Sequence, residues 1–289
     1  MKPLRSRLEE VRKRLGIPWE VLERDYVLSW VLAGISRVGP LAEGLVFKGG
    51  TALRKCYFPG YRFSEDLDFS ATGAVPRGEA MGDAIAAACA EATHLLNQHA
   101  PADIACERYT ERDPHPGGQE AFAVRVRLPW HRTAQTRILV EVTTDEEVLG
   151  PVGERAVIHG YGEPLDARVK VYGLEEIVAE KLRAILQQAK RLQERGWSRS
   201  RARDYYDLWR IVCGEAQGRE PEGFPAFLAR KCEARDVAFS GPDDFFQEAM
   251  LEHVGRTWEE WLGPLVPELP PFEQVVGDLR PRIACLLRA

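Results

Sequence analysis

Phe47-Lys48-Gly49-Gly50-Thr51-Ala52-Leu53-Arg54-Lys55 and, a few residues on, Tyr61-Arg62-Phe63-Ser64-Glu65-Asp66-Leu67-Asp68-Phe69 form the stretch on which the fold turns. A short strand at 45–48 runs into a glycine pair, which opens a short helix over 51–57. A second strand over 62–70 then carries two carboxylates. Strand side chains alternate, so Asp66 and Asp68 share one face while Leu67 and Phe69 point into the core. Gly49 and Gly50 let the chain pass close to a ligand with no Cβ in the way. Free N–H groups around Gly50, Thr51 and Ala52 suit phosphate oxygens, with the Thr51 hydroxyl as a further donor. A hard cation such as Mg²⁺ takes one or two carboxylates and completes its shell with phosphate oxygens and water. Asp66 and Asp68 are therefore candidate metal ligands, and Ser64, two residues earlier, shares their face. No Gly-x-x-x-x-Gly-Lys-Ser/Thr loop occurs, which leaves out the Walker type of phosphate cradle.

Working outward, 136–142 reads as a strand with Glu141 inside its apolar run. A lone glutamate there is costly to bury, so it is expected to face a metal or a base and to act as a third acid. Further strands are read over 103–109 and 122–128, with Pro114-His115-Pro116-Gly117-Gly118 as the turn between them. Helices are expected over 4–15, 18–38 and 79–99, and glycine and proline gather again over 150–164. Beyond Val171 only helices are expected, separated by 214–225 and 263–271. In the first of them Leu174, Ile177, Val178, Leu182, Ile185, Leu186 and Ala189 fall at helical spacing. Lys181 lies within that stripe, where an ammonium requires a partner. It is read either as a snorkelling stem or structural ion pair, or as a lysine reaching a triphosphate. Asp204 and Asp207, on the next helix, are second-tier candidates that orient Lys181 or Arg183, contact the nucleotide, or serve as salt bridges.

These motifs, Phe47 to Leu53 with Arg62 to Asp68, Lys181-Leu182-Arg183, and Arg201-Ala202-Arg203-Asp204-Tyr205-Tyr206-Asp207, resemble those of the AbiEii/MenT nucleotidyltransferase toxins. That family is a branch of the DNA polymerase β-like nucleotidyltransferases. Arg203 stands where the family usually has lysine, which keeps the charge but changes its geometry. The resemblance spans roughly residues 25 to 210. It implies an α+β fold: a nucleotidyltransferase core with a mixed sheet and N-terminal helices over 1–170, and a helical domain over 171–289. It further implies Mg²⁺ or Mn²⁺, a nucleoside triphosphate as substrate, the 3′ end of transfer RNA as acceptor, and a cognate antitoxin. On this basis the expected catalytic set is Asp66, Asp68, Lys181, Glu141, Asp204 and Asp207. Asp66, Asp68 and Glu141 are the expected metal ligands. Gly49, Gly50, Thr51, Ser64, Lys181 and Arg183 are the expected nucleotide contacts. A small-molecule or protein acceptor, and a nucleotide-binding regulator without transfer, remain open.

The chain has 289 residues and a net charge of −5, which by itself argues against a nucleic-acid partner. The distribution argues the other way: residues 181–210 hold nine basic and three acidic side chains. Arg199, Arg201 and Arg203 are candidate RNA contacts there, and Trp197, Tyr205 and Tyr206 lie among them as candidate stacking partners for an unpaired base. No apolar run long enough to span a membrane occurs, and the charged N-terminus argues against a secretory signal. The six cysteines lack Cys-x-x-Cys spacing, and the six histidines lack His-Glu-x-x-His. Reduced thiols in a cytoplasmic protein are expected, without zinc.

Overall fold

A computed structural model describes residues 2–109, 119–197, 199–215 and 221–288. The chain divides into two compact units, Met1–Tyr172 and Gly173–Ala289. The first unit contains helices α1 (Leu4–Leu15), α2 (Trp19–Arg37), α3 (Gly39–Gly44), α4 (Gly49–Ala52) and α5 (Glu79–Asn97). Its strands are β1 (Leu45–Lys48), β2 (Leu67–Ala71), β3 (Asp103–Tyr109), β4 (Gln119–Arg127), β5 (Thr136–Thr143), β6 (Val152–Ala156) and β7 (Arg168–Tyr172). They form one mixed sheet in the order β3-β4-β5-β2-β1-β7-β6. The strand β2 lies at its centre, antiparallel to β1 and parallel to β5.

The sheet has an apolar face because the central strands are in step. Phe47 opposes Phe69, Leu67 lies beside Val140, and Val140 opposes Phe122. All of these side chains are buried. The helix α2 is apolar almost all round, as a helix buried on every side must be, and it packs with α5. The charged residues it buries are paired. Asp25 meets Arg54 at 2.5 Å, Lys55 at 2.9 Å and the Tyr161 hydroxyl at 2.5 Å. Burial alone would raise the Asp25 carboxyl, but Lys55 and Arg54 hold it well below the usual carboxylate range. Burial pushes Lys55 down to about 8, with Asp25 opposing.

Several boundaries differ from those read in the sequence. The helix expected over 51–57 begins at Gly49 and relaxes into a π-helical turn, Leu53–Tyr57. The acidic strand starts at Leu67, whereas it was expected from 62, because the carbonyls before it are engaged by side chains. Arg54 donates to the Tyr61 carbonyl, Arg62 to that of Phe63 at 3.1 Å, and Thr51 to that of Asp66 at 2.5 Å. The glycine- and proline-rich stretch 150–164 contains β6, an exposed edge strand with no alternation to reveal it. The expected turn 114–118 lies outside the described residues.

The second unit is helical: α6 (Leu174–Arg195), α7 (Ala202–Trp209), α8 (Phe224–Glu233), α9 (Glu248–Leu262) and α10 (Phe272–Leu286). The apolar stripe read on α6 is buried. Lys231 of α8 fastens to α6 through Glu176 at 2.6 Å and Glu180 at 3.3 Å. Among the described residues no helix is long and apolar enough to cross a membrane. All six cysteines are free thiols.

His159 gives the first unit a pH response. Its ring is buried among Tyr26, Trp30 and Tyr161, with centroids 5.3–5.5 Å away. Neither ring nitrogen has a hydrogen-bond partner among the described residues. Burial, reinforced by the charge of Lys55, pushes its pKa from 6.5 down to about 4. The unfolded chain therefore takes up a proton on this ring before the folded chain does, and stability falls as pH drops from 6.5 towards 4. The loss reaches about 3 kcal/mol at the bottom of that window. Urea unfolding between pH 7 and 4 is expected to reveal this slope, and His159→Leu to flatten it.

Candidate active site

The acidic face of the first unit is set by strand register. Lys48 pairs across β1 and β2 with Asp68, and Asp68 lies beside Glu141 across β2 and β5. In-register neighbours share a face, so these three side chains form one charged row on the side opposite Phe69 and Val140. Asp66 lies two residues before Asp68, just outside the strand, with its carbonyl held by the Thr51 hydroxyl. Like charges directly opposite on neighbouring strands, about 4.8 Å apart, are destabilising. A sheet that sets Asp68 against Glu141 accepts that cost, and a cation or a proton relieves it. The Glu141 carboxylate accepts a hydrogen bond from Gln119 Nε2 at 2.7 Å.

The glycine pair meets this row directly. Gly49 has φ +76°, and a Cβ there would stand 2.7 Å from Asp68 Oδ2. A Cβ on Gly50 would stand 2.2 Å from Nη2 of Arg62, whose side chain is buried. The first glycine thus makes room for a carboxylate and the second for a guanidinium. Thr51, expected as a phosphate donor, is buried. Its hydroxyl lies 2.7 Å from Ser64 Oγ and 2.5 Å from the Asp66 carbonyl. It ties the start of α4 to the acidic segment. Arg54 supports that segment from behind: its guanidinium lies 3.6 Å from the Phe63 ring while Asp25 holds its other side.

Lys181, Asp204 and Asp207 come together in the second unit. The Lys181 ammonium lies 2.9 Å from Asp204 Oδ1 and 2.6 Å from Asp207 Oδ2. Arg201 reaches Asp204 at 3.1 Å, so two carboxylates face two cations. Burial alone would raise Asp204, but Lys181 and Arg201 hold it well below the usual carboxylate range. Of the roles read for the aspartates, this geometry contains the ion pairs with Lys181, which serve equally to orient its ammonium and as salt bridges. Arg183 bonds Gln187 of its own helix at 3.0 Å.

Around this cluster the expected stacking surface needs correction. Tyr205 and Tyr206 are buried, the first bonding the Phe245 carbonyl at 2.6 Å. The helix turns both rings inward with the apolar face. Among the described residues the exposed aromatics are Trp197 and Trp261, and the Arg203 guanidinium lies 5.5 Å from the Trp261 ring. Arg199 is exposed.

Among the described residues, no three or more His, Cys, Asp or Glu side chains form a ready-made metal cage. The donor set at Asp66, Asp68 and Glu141 is nonetheless all oxygen, and Mg²⁺ needs only one or two carboxylates when it is bound with substrate phosphates. The residues fit a cation of that kind. Lys48, Arg62 and Gln119 were not singled out in the sequence. Lys48 stands inside the motif, but its register with Asp68 is a tertiary fact.

A family model described as the nucleotidyl transferase AbiEii toxin of type IV toxin–antitoxin systems matches residues 30–278. The fold is similar to that of MenT4, a nucleotidyltransferase toxin from Mycobacterium tuberculosis H37Rv. The TM-score is 0.59 at 20% identity, over 94% of this chain and 85% of the other. No curated protein sequence matches the chain.

Gly49→Ala is expected to lower unfolding stability by about 1–2 kcal/mol from its left-handed backbone alone. It is also expected to displace the Asp68 carboxylate. Chemical denaturation measures the first effect and a crystal structure of the variant the second.

Proposed function

Because the chain belongs to the AbiEii family of nucleotidyltransferase toxins, we propose that it transfers a nucleoside monophosphate from a nucleoside triphosphate to an RNA 3′ end, that of transfer RNA. The observation carrying this reading is the in-register Asp68 and Glu141 pair beside the bare Cα of Gly49. Asp66 and Asp68 hold Mg²⁺ or Mn²⁺. The ion, when bound, neutralises charge on the phosphoryl oxygens. Glu141, oriented by Gln119, either accepts the proton of the attacking hydroxyl or completes the ion's shell. The N–H groups of Gly49 and Gly50 meet phosphate oxygens, and Ser64 is assigned a nucleotide contact beside them. Thr51 serves as a strut in this arrangement.

Lys181 is assigned the stabilisation of charge on the transferring phosphate. Asp204 and Asp207 hold its ammonium in one rotamer, and Arg183 is a secondary nucleotide contact. A polynucleotide acceptor is supported by the exposed Arg199 and Trp197 and by Arg203 lying over the Trp261 ring, with Arg201 joining through Asp204. Aromatic and guanidinium planes of this kind take unpaired bases. The family's description as the toxin of a type IV toxin–antitoxin system supports growth-inhibiting activity opposed by an antitoxin, with the cytoplasm as the proposed compartment.

The test incubates the protein and Mg²⁺ with each labelled triphosphate and with total transfer RNA or total protein. Label is expected on RNA and lost with EDTA. Asp66→Ala is expected to cut the rate about 100-fold or more, the usual scale for removing a charge-stabilising group. Label on protein instead, or label that survives Asp66→Ala, contradicts the proposal. Expression in bacteria is expected to slow growth, with relief by Asp66→Ala or Lys181→Ala; equal toxicity of variants and wild type contradicts the catalytic assignment.

A further inference from the structure

Lys48 is the member of the charged row to which the proposed reaction assigns nothing. It ends β1, lies opposite Asp68 and shares a face with Glu141. Its side chain is 11% exposed, and its ammonium pairs with the Glu146 carboxylate, itself 7% exposed. The buried Tyr172 ring lies 5.8 Å from the ammonium. Glu146 comes from the segment leaving β5, within Asp145-Glu146-Glu147. Taking both charges out of water is expensive, and packed apolar residues of similar size stabilise a fold at least as well. The pair also brings another carboxylate to a face that already carries Asp68 and Glu141. Stability of the sheet therefore does not account for it.

Chemistry does. An ammonium immediately before the Gly49–Gly50 bend offers three donors to an anion lying over that bend. A carboxylate presents to it the same kind of charged oxygen that a phosphate does. We infer that Lys48 is a phosphate-binding residue of the nucleotide site, and that Glu146 is an internal anion occupying its place. When triphosphate arrives, Lys48 exchanges the Glu146 carboxylate for a phosphate oxygen. No bond is made or broken; one ion pair replaces another. The inference rests on the nucleotide reading above and adds to it a residue and a built-in competitor.

Exchange gives the two partners opposite signs, which a purely structural pair does not. The test titrates the full chain, in Mg²⁺, with each of the four ribonucleoside triphosphates and with inorganic triphosphate. Lys48→Met is expected to weaken binding about tenfold or more, the worth of a charge-assisted hydrogen bond. Lys48→Arg is expected to recover most of that loss. Glu146→Gln is expected to tighten binding roughly threefold or more, because it removes the competing charge. The Glu146→Gln gain is expected to vanish when Lys48→Met is also present. Weaker binding in Glu146→Gln, or wild-type binding in Lys48→Met, overturns the exchange while leaving the nucleotide site intact. Failure of the wild type to bind any probe removes both readings at once. Thermal melts accompany each variant, and if Lys48→Met does not fold, the sign of the Glu146→Gln effect decides.

Discussion

Two carboxylates placed side by side on neighbouring strands repel one another, and the register of β2 against β5 imposes that placement on Asp68 and Glu141. The register is not free to slip. A shift of β2 by one residue would carry Leu67 and Phe69 to the charged face and bury Asp68 in the core. The hydrophobic face therefore holds the acidic face in place, and the cost of like charges is met by the packing of the other side. Gly49 belongs to the same constraint, since only a residue without a Cβ leaves room for the Asp68 carboxylate at that bend.

Behind this face lies a second layer of paired charge. Asp25 on α2 holds Arg54 and Lys55, and Arg54 in turn holds the Tyr61 carbonyl and covers Phe63. Breaking such a buried set by removing one partner leaves an uncompensated charge, so its members act together. Its consequence for function is positional: the segment leading to Asp66 is fastened to a buried helix. The second unit repeats the principle on a smaller scale, with Lys181 held by Asp204 and Asp207.

Much of this was legible in the sequence because it is local. The alternation of Leu67, Asp68 and Phe69 assigned their faces, and the helical stripe on α6 turned Lys181 inward with a need for a partner. The bounds of β1 and β3 agree with the apolar and β-prone runs read over 45–48 and 103–109. What could not be read is tertiary. Nothing near Lys48 announces Glu146, almost a hundred residues on, and nothing near Gly50 announces that Arg62 fills its Cβ space. Tyr205 and Tyr206 sit among arginines in the sequence, yet the helix turns both into the core. The strand β6 escaped because an exposed edge needs no hydrophobic pattern. Thr51, read as a ligand donor from its place after two glycines, has its hydroxyl against Ser64 and the Asp66 carbonyl.

A crystal of the protein with nucleoside triphosphate and Mg²⁺ tests the central claim most directly. The account predicts a cation about 2.1 Å from oxygens of Asp66 and Asp68, with phosphate oxygens at the N–H groups of Gly49 and Gly50. A triphosphate bound elsewhere, with the two aspartates carrying no ion, would contradict it.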